Sequence, residues 1–581
     1  MTAFLAYRGP DGQRFWLDGP VGFGHALLKT IGDSGIHDQQ PAHLEGLSIT
    51  ADVRLDSADQ LKTQLKQMGR NLDSPVSDAN LILYAYAAWG PNCVDRLRGD
   101  FSFGIWDEAT KTLFCARDHF GVKPFFYAQL NNLFLFSNTL NCLRQHHAVS
   151  NQLNKSTIGD FLLFGINYDQ STTTFRDIRR LPAAHTLTVS RDGLQTRCYW
   201  HPPTEGRIHY ARGQDYVDHF NDILKTAVSD RLLSDHAGIF LSGGLDSGAV
   251  AAVAREISNA REGRPALQSY TVGYSPLIPA EDGLHGRKLA EYLNLPNTYI
   301  SFSDTKFFEE GTDKNYCLPE PLDDPLSAAL FKQFDTVARD VRVVFSGEGA
   351  DNLMYFQMWP HIQDLRRHKK WVQLARETAW FLWIRPLPWR GLASRAKSLF
   401  GRNSHHKGFP SWITAAFAKE AGLIERWEQH RPLGIPEKRH STRPKAYASM
   451  LLPHWTKMFE LHDPGVTHAP VQVHYPFLDL RIVDFLLGIP AFPWIFNKTL
   501  LRKAMRGRLP EEIRTRPKTP LAADPVQAIL RRDGIKSLSR RVLEGPICEF
   551  VVPSALNDIC ASIEPERLRP YCLDAWFKAL S

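Results

Sequence analysis

The chain of 581 residues lacks several things, and each absence narrows the reading. None of its eight cysteines forms a C-x-x-C pair, which excludes the common zinc and dithiol signatures and reads as reduced thiols in a chain large enough to need no disulfide staples. No basic-then-apolar leader opens it, and no run of about 18 apolar residues crosses a membrane. The nearest approach, "WFLWIRPLPW" at 380–389, is short and broken by Arg385 and two prolines. Internal repeats and low-complexity tracts are missing too. These features together predict a cytoplasmic protein. A net charge of +7 spread over this length is weak evidence for nucleic acid. What remains is an ordinary globular composition, 43% hydrophobic and 23% charged, long enough for two to four domains.

Residues 1–200 read mostly as strands. "GLSITADVRL", "DFSFGIWD", "TLFCARD" and "PFFYAQL" are apolar or alternating runs rich in aromatic and β-branched residues. "DANLILYAYAAWG", opening near Asp78, is the clearest helix. "YRGPDG" near the start is a turn, preceded by six residues that look like the end of a helix. A linker, "HPPTEGR", follows Trp200. From about 210 to 581, helices alternate with short apolar strands ("AGIFL", "LQSYTVG", "RVVF"), the pattern of a parallel α/β sheet. Residues 355–465 turn helical, tryptophan-rich and basic. Arg366, Arg367, Lys369, Lys370, Arg385, Arg390 and Arg395 stand there among Trp371, Trp380, Trp383 and Trp389. That surface suits a peptide or protein partner; a helical cap with a solvated basic face explains it equally well.

Three stretches carry chemistry. "AGIFLSGGLDSGAVAAVARE" runs a buried strand through Ser242-Gly243-Gly244-Leu245-Asp246-Ser247 into a helix. Glycines let backbone N–H groups approach phosphate oxygens, and the helix N-terminus adds a positive dipole end. No lysine follows the second glycine, so this is not a Walker A loop. Asp246 repels bare phosphate and makes sense there with Mg²⁺ between them. "VVFSGEGADNL" ends a second strand in glycines with Glu348 and Asp351, which suit Mg²⁺ binding, proton transfer or simply a solvated acidic turn. Third, Lys498 and Arg502 stand at i,i+4, one face of a helix, where cations can neutralise a leaving pyrophosphate; a basic surface helix reads the same way.

"RGPD", "SGGLDS", "SGEGAD", "YPFLD" and K-x-x-L-R followed by "LP" and "RPK" occur in the order found in glutamine-dependent asparagine synthetases, and the resemblance covers nearly the whole chain. It implies a glutaminase-type Ntn-hydrolase-like α+β domain over 1–200, and an α/β PP-loop synthetase domain over 210–581 with helical additions. The implied chemistry is adenylation of a carboxylate with ATP and Mg²⁺, then attack by an amine, releasing AMP and pyrophosphate. By position, Ser242, Gly243, Gly244, Asp246 and Ser247 match the pyrophosphate loop. Leu241 and Val272 match adenosine contacts, and Ser346 and Gly347 match contacts near the ribose or α-phosphate. Asp246 and Asp351 match magnesium-linked acids, Glu348 a base for the attacking amine, and Lys498 the lysine that stabilises adenylation.

The departures sit in the N-terminal half. Thr2 stands in the position of a nucleophilic cysteine but too close to "RGPD", so the expectation is a domain truncated at its N-terminus. "GFGHALLKT" has Ala26 and Leu27 near the place of a glutamine-gripping arginine. Thr50 and Ala51 replace an oxyanion-hole asparagine and glycine. Asp52 remains as an acidic partner in that residual glutamine site, and Asp78 matches the acid that holds a glutamine amine. Such a site is a poor glutaminase. Relatives without a working glutaminase half use an amine within their substrate, and "GPVGFGHALLKT" and "STTTFRDIRRLPAAHTLTVS" look like the lasso-peptide macrolactam cyclase branch. That implies a precursor peptide and leader-processing partners, with asparagine synthesis from aspartate and a non-catalytic scaffold as alternatives. Dimers are common in the family, so a homodimer is the state to expect.

Overall fold

The computed structural model describes residues 1–32, 39–72, 76–261, 263, 265–278, 281–308, 318–384, 408–430, 440–517, 522–533, 543–556 and 565–580. Eleven strands lie before residue 200: β1 (Gly12–Asp18), β2 (Val21–Leu27), β3 (Ala42–Leu44), β4 (Leu47–Leu55), β5 (Gly99–Asp107), β6 (Thr112–Arg117), β7 (Phe126–Leu130), β8 (Leu133–Ser137), β9 (Arg179–Arg180), β10 (His185–Ser190) and β11 (Gly193–Cys198). They make a six-stranded antiparallel sheet in the order β11-β10-β6-β5-β4-β3, a β1-β2 hairpin and a β8-β7-β9 sheet. β5 is buried on both faces: Phe101, Phe103 and Ile105 fill one, and Ser102 and Gly104 alternate onto the other. One face takes the ring of Phe136 from β8 above Gly104, where a Cβ would sit 2.7 Å from the ring. The other takes the helix Asp78–Trp89 through Leu81, Ile82 and Ala85, all packed with Ile49, Phe101 and Phe103 in one cluster. Ser77 caps that helix, accepting from the Asn80 N–H, while Asp78 accepts from the Leu55 N–H at 2.8 Å and ties the helix to the end of β4.

Five parallel strands follow: β12 (His236–Phe240), β13 (Ala266–Gly273), β14 (Asn297–Ser301), β15 (Val343–Phe345) and β16 (Gln472–His474), in the order β14-β13-β12-β15-β16. The sequence order reverses between β12 and β15. In such sheets ligands bind beyond the strands' carboxyl ends at that switch point. The helix Leu245–Ala260 leaves β12 with Gly248, Ala249, Ala251, Ala252 and Ala254 buried, small side chains that let it lie close on the sheet. The helix Gly213–Ser229 buries Tyr216, Val217, Phe220, Leu224, Ala227 and Val228, an i, i+4, i+8 stripe.

The basic, tryptophan-rich region contains the helices Met358–Arg367, Trp371–Ile384, Ala415–Glu420, Leu423–Gln429, Pro444–Ser449 and Pro453–Leu461. Arg366, Arg367, Lys369 and Lys370 are exposed, and Trp380 packs among Phe381, Phe492 and Phe496. Arg385, Trp389, Arg390 and Arg395 lie outside the described residues. Among the described residues no helix is long and apolar enough to cross a membrane.

The two halves are joined by buried ions. Arg231, 1% exposed, donates to Asp56 at 3.0 and 3.1 Å and to Asp479 at 2.8 Å. Asp56 also holds Arg54 (2.6 Å), Arg54 holds Asp100 (2.7 Å), and Asp479 holds Arg481 (2.6 Å). A second cluster is built on the turn near the N-terminus, where Arg8 bridges Asp52 and Asp463, each at 2.7 Å.

Candidate active site

The loop after β12 closes on itself before any ligand is considered. The Ser242 N–H donates to Ser247 Oγ (3.2 Å), the two hydroxyls meet at 3.0 Å, and the Gly244 N–H reaches Ser242 Oγ at 3.4 Å. Gly243 has φ +71°, open to glycine and strained for other residues, and a Cβ there would strike the backbone of Gly286 at 2.6 Å. The Leu241 carbonyl, just before the loop, accepts from Thr271 Oγ1 (3.0 Å), which locks β13 beside it. Leu241 itself is buried, while Val272 is 37% exposed at the carboxyl end of β13.

The loop after β15 lies directly against the first. A Cβ on Gly347 would be 2.7 Å from the Ser247 nitrogen, so only glycine lets the backbones approach this closely. Ser346 is tied to β16 through its N–H to the His474 carbonyl (2.9 Å), and its hydroxyl accepts the Glu348 N–H at 3.3 Å. Gly349, at φ +100°, turns the chain over Phe477 and Leu478 of "YPFLD". Glu348 is exposed at the lip. Asp351 lies in the single helical turn Ala350–Leu353.

Lys498 brings the three stretches together. Its Nζ is 2.5 Å from Asp246 Oδ2 and 2.6 Å from Asp351 Oδ1. Asn497 and Lys498 are both left-handed, with φ +49° and +54°. Two such residues in sequence cost on the order of 1–3 kcal/mol each. The strain is held by the helix Thr499–Ala504, which starts one residue later, and by Leu500 and Leu501, both fully buried.

That geometry corrects one expectation. Lys498 and Arg502 do not share a helical face, because Lys498 precedes the helix. Arg502 is committed to backbone: Nε donates to the Asn497 carbonyl at 2.8 Å and its terminal nitrogens to the carbonyls of Arg514 and Arg516. It fastens the chain, and Lys498 is the residue that meets both acids.

In the N-terminal half a cavity of about 1430 Å³ is lined by Thr2, Gly24, His25, Ala26, Leu27, Thr50, Ala51, Asp52 and Asp78, among others. Several of these residues are already engaged, Asp78 with the Leu55 N–H among them. Asp52 is held by Arg8 and by Lys123, each at 2.7 Å, and these cations keep its carboxyl well below the usual range despite burial. It is one member of a buried ion cluster, so its charge is balanced without a ligand's ammonium. The Ala51 backbone is paired with the Gln40 side chain, whose Oε1 accepts the Ala51 N–H at 2.6 Å and whose Nε2 donates to the Ala51 carbonyl at 3.0 Å. The position matching an oxyanion donor therefore spends its N–H within the protein. Sequence reasoning missed Gln40, Lys123, Arg8 and Arg231. Their burial and their distant partners are what give them these roles, and neither is written in the sequence.

Two phosphate-scale loops across a switch point, with a lysine between two carboxylates, define a nucleotide-activating α/β domain, here carrying a β-rich domain of amidotransferase type. Residues 219–564 match the asparagine synthase family model and residues 1–200 the glutamine amidotransferase domain model. The chain belongs to the asparagine synthase family, and so to the ligases that form carbon–nitrogen bonds with ATP. It is similar to asparagine synthetase [glutamine-hydrolyzing] 3 of Bacillus subtilis, 28% identical over 540 residues, covering 90% of this chain and 83% of that protein. Asparagine synthetase [glutamine-hydrolyzing] 2 of the same organism is 25% identical over 558 residues (90% and 68%). Amidase chry2 of Gibberella zeae is 24% identical over 576 residues (88% and 82%).

Proposed function

We propose that this protein adenylates a carboxylate with ATP and joins it to an amine that its own N-terminal cavity does not release from glutamine. The observation that carries this reading is the contrast between the halves: Lys498, Asp246 and Asp351 converge beside a closed phosphate loop, while Ala51 and Asp52 are consumed by Gln40, Arg8 and Lys123.

In this reading the N–H groups of Gly243, Leu245, Asp246 and Ser247, at the start of the helix Leu245–Ala260, bind the β- and γ-phosphates. Leu241 and Val272 flank the adenosine, and Ser346 and Gly347 border the α-phosphate. Lys498 stabilises the negative charge that grows as pyrophosphate departs; preformed donors of this kind supply about 3–4 kcal/mol of transition-state stabilisation. Glu348, at the exposed lip, takes the proton of the attacking amine. Asp246 and Asp351 fit Mg²⁺, because one ammonium already bridges both carboxylates and two carboxylates plus substrate phosphates are its usual ligands. Bound there, Mg²⁺ supplies charge neutralisation of the phosphates. Asp78 borders the cavity as a residual polar contact.

The amine of choice is one carried by the acceptor itself, as in a lasso precursor peptide closed to a macrolactam. The likeness of residues 19–30 and 171–190 to that branch supports this. Aspartate with free ammonia is the second reading, favoured by the names of the bacterial relatives. The test is pyrophosphate release by the full chain with ATP, Mg²⁺ and L-aspartate, with ammonia or glutamine as nitrogen source. Brisk asparagine formation from glutamine sinks the proposed nitrogen source. Brisk formation from ammonia alone favours the second reading. No nucleotide binding at all leaves a scaffold.

A further inference from the structure

One fully buried cation has no carboxylate recorded against it among the described residues. Arg443 is 0% exposed. Its terminal nitrogens donate to the carbonyls of Leu353 (3.2 Å) and Leu486. Leu353 ends the helical turn Ala350–Leu353, which carries Asp351 directly after the Glu348 loop. Leu486 lies in the last turn of Leu480–Gly488, the helix that follows "YPFLD". Carbonyls at helix ends have no partner within the helix, and a cation satisfies them best.

The neighbouring backbone makes the same connection again. The His440 ring donates from Nε2 to the Leu487 carbonyl (3.1 Å) and accepts on Nδ1 the N–H groups of Thr442 (3.3 Å) and Arg443 (3.1 Å). That set requires a neutral ring, and burial together with Arg443 pushes the His440 pKa down to about 4. The Lys445 N–H then donates to Gln357 Oε1 at 2.6 Å, just past the Asp351 turn. Residues His440 to Lys445 thus clasp the end of the turn that carries Asp351 to the end of the helix Leu480–Gly488.

We propose that Arg443 is a positioning residue that sets the register of the Glu348–Asp351 turn, so that Asp351 meets the metal-bound phosphates of ATP. It acts through the Leu353 carbonyl and touches no reacting atom. The inference rests on the proposed nucleotide-binding reading of the site. Placement of a donor group to within about half an ångström is what such supporting contacts provide.

The test is calorimetric binding of the non-cleavable analogue α,β-methylene-ATP to the full chain, with and without Mg²⁺. Arg443→Met is expected to weaken binding in Mg²⁺ at least tenfold and to leave Mg²⁺-free affinity within twofold of wild type. Arg443→Lys, which keeps the charge, recovers most of the loss. A folded Arg443→Met protein with a wild-type Mg²⁺ response overturns the inference, as does an equal loss in both conditions, which marks a merely structural role. If Arg443→Met does not fold, Arg443→Gln is judged by the same criteria. Wild-type protein that fails to bind the analogue at all defeats the proposed function itself, whereas a failure confined to the Arg443 variants leaves that reading standing.

Discussion

Replacing Arg231 with methionine tests whether the N-terminal half is retained as a structural platform for the ligase. Arg231 follows the helix Gly213–Ser229 and lies within the interface, donating to Asp56 from one half and Asp479 from the other. Methionine fills much of the volume but leaves two buried carboxylates short of a cation. Breaking a buried pair by removing one partner costs about 3–5 kcal/mol. Here each acid keeps another guanidinium, Arg54 on Asp56 and Arg481 on Asp479, both at 2.6 Å, so the lower end applies. At about 2–4 °C per kcal/mol for a domain of 150–250 residues, a loss of about 3 kcal/mol lowers Tm by about 6–12 °C. Scanning fluorimetry at one fixed scan rate reads this directly. Asp56→Asn alone should cost a similar amount, and the double variant less than the sum, with a coupling of about 1–3 kcal/mol. A Tm within 2 °C of wild type for Arg231→Met, or strict additivity in the double variant, refutes the idea that these ions hold the halves together.

Four other outcomes follow from the geometry. Lys498→Ala should lower the rate of pyrophosphate release about 10²–10³-fold with little change in nucleotide affinity, measured with whichever carboxylate turns over. Gly347→Ala puts a methyl 2.7 Å from the Ser247 nitrogen and should abolish binding of α,β-methylene-ATP by calorimetry while the fold persists by circular dichroism. Gln40→Ala should free the Ala51 N–H yet yield no glutamine hydrolysis in a glutamate-release assay, because Asp52 stays bound to Arg8 and Lys123. Stability should fall between pH 7 and pH 5. Buried His440 has its pKa pushed down to about 4 from an ordinary value near 6.5, so its contribution is complete above 6.5 and is lost as pH falls toward 4, about 2 kcal/mol by pH 5. Burial holds His25, His119, His462 and His474 down as well, so the share of His440 is read as the difference between wild type and His440→Asn in denaturant titrations at the two pH values; an equal fall in both means His440 is not held neutral.

What the sequence made legible was local. A loop that binds phosphate must place glycines and hydroxyls between a buried strand and a helix, so "SGGLDS" and "SGEGAD" announce both their chemistry and their place at strand ends. Lys498 was legible as a cation but not in its conformation: the i,i+4 pattern predicts a helix through it, and the helix begins one residue later because two left-handed residues aim the side chain at the acids. The N-terminal half shows the opposite limit. Asp52 stands where a ligand-holding acid belongs, and nothing within a few residues reports that Arg8 and Lys123 neutralise it. Its partners, like those of Arg231 175 and 248 residues away, are chosen by how β4 and the synthetase sheet meet. The consequence bears on function. An acid's position in a motif is set by the fold, but whether it can accept a ligand depends on whether its charge is already balanced. In this protein Asp246 and Asp351 both meet the Lys498 ammonium, whereas Asp52 is held by two buried cations, Arg8 and Lys123. The first cluster is also the more open one, with the Asp351 side chain 42% exposed against 10% for Asp52, so it is the cluster that a ligand can reach.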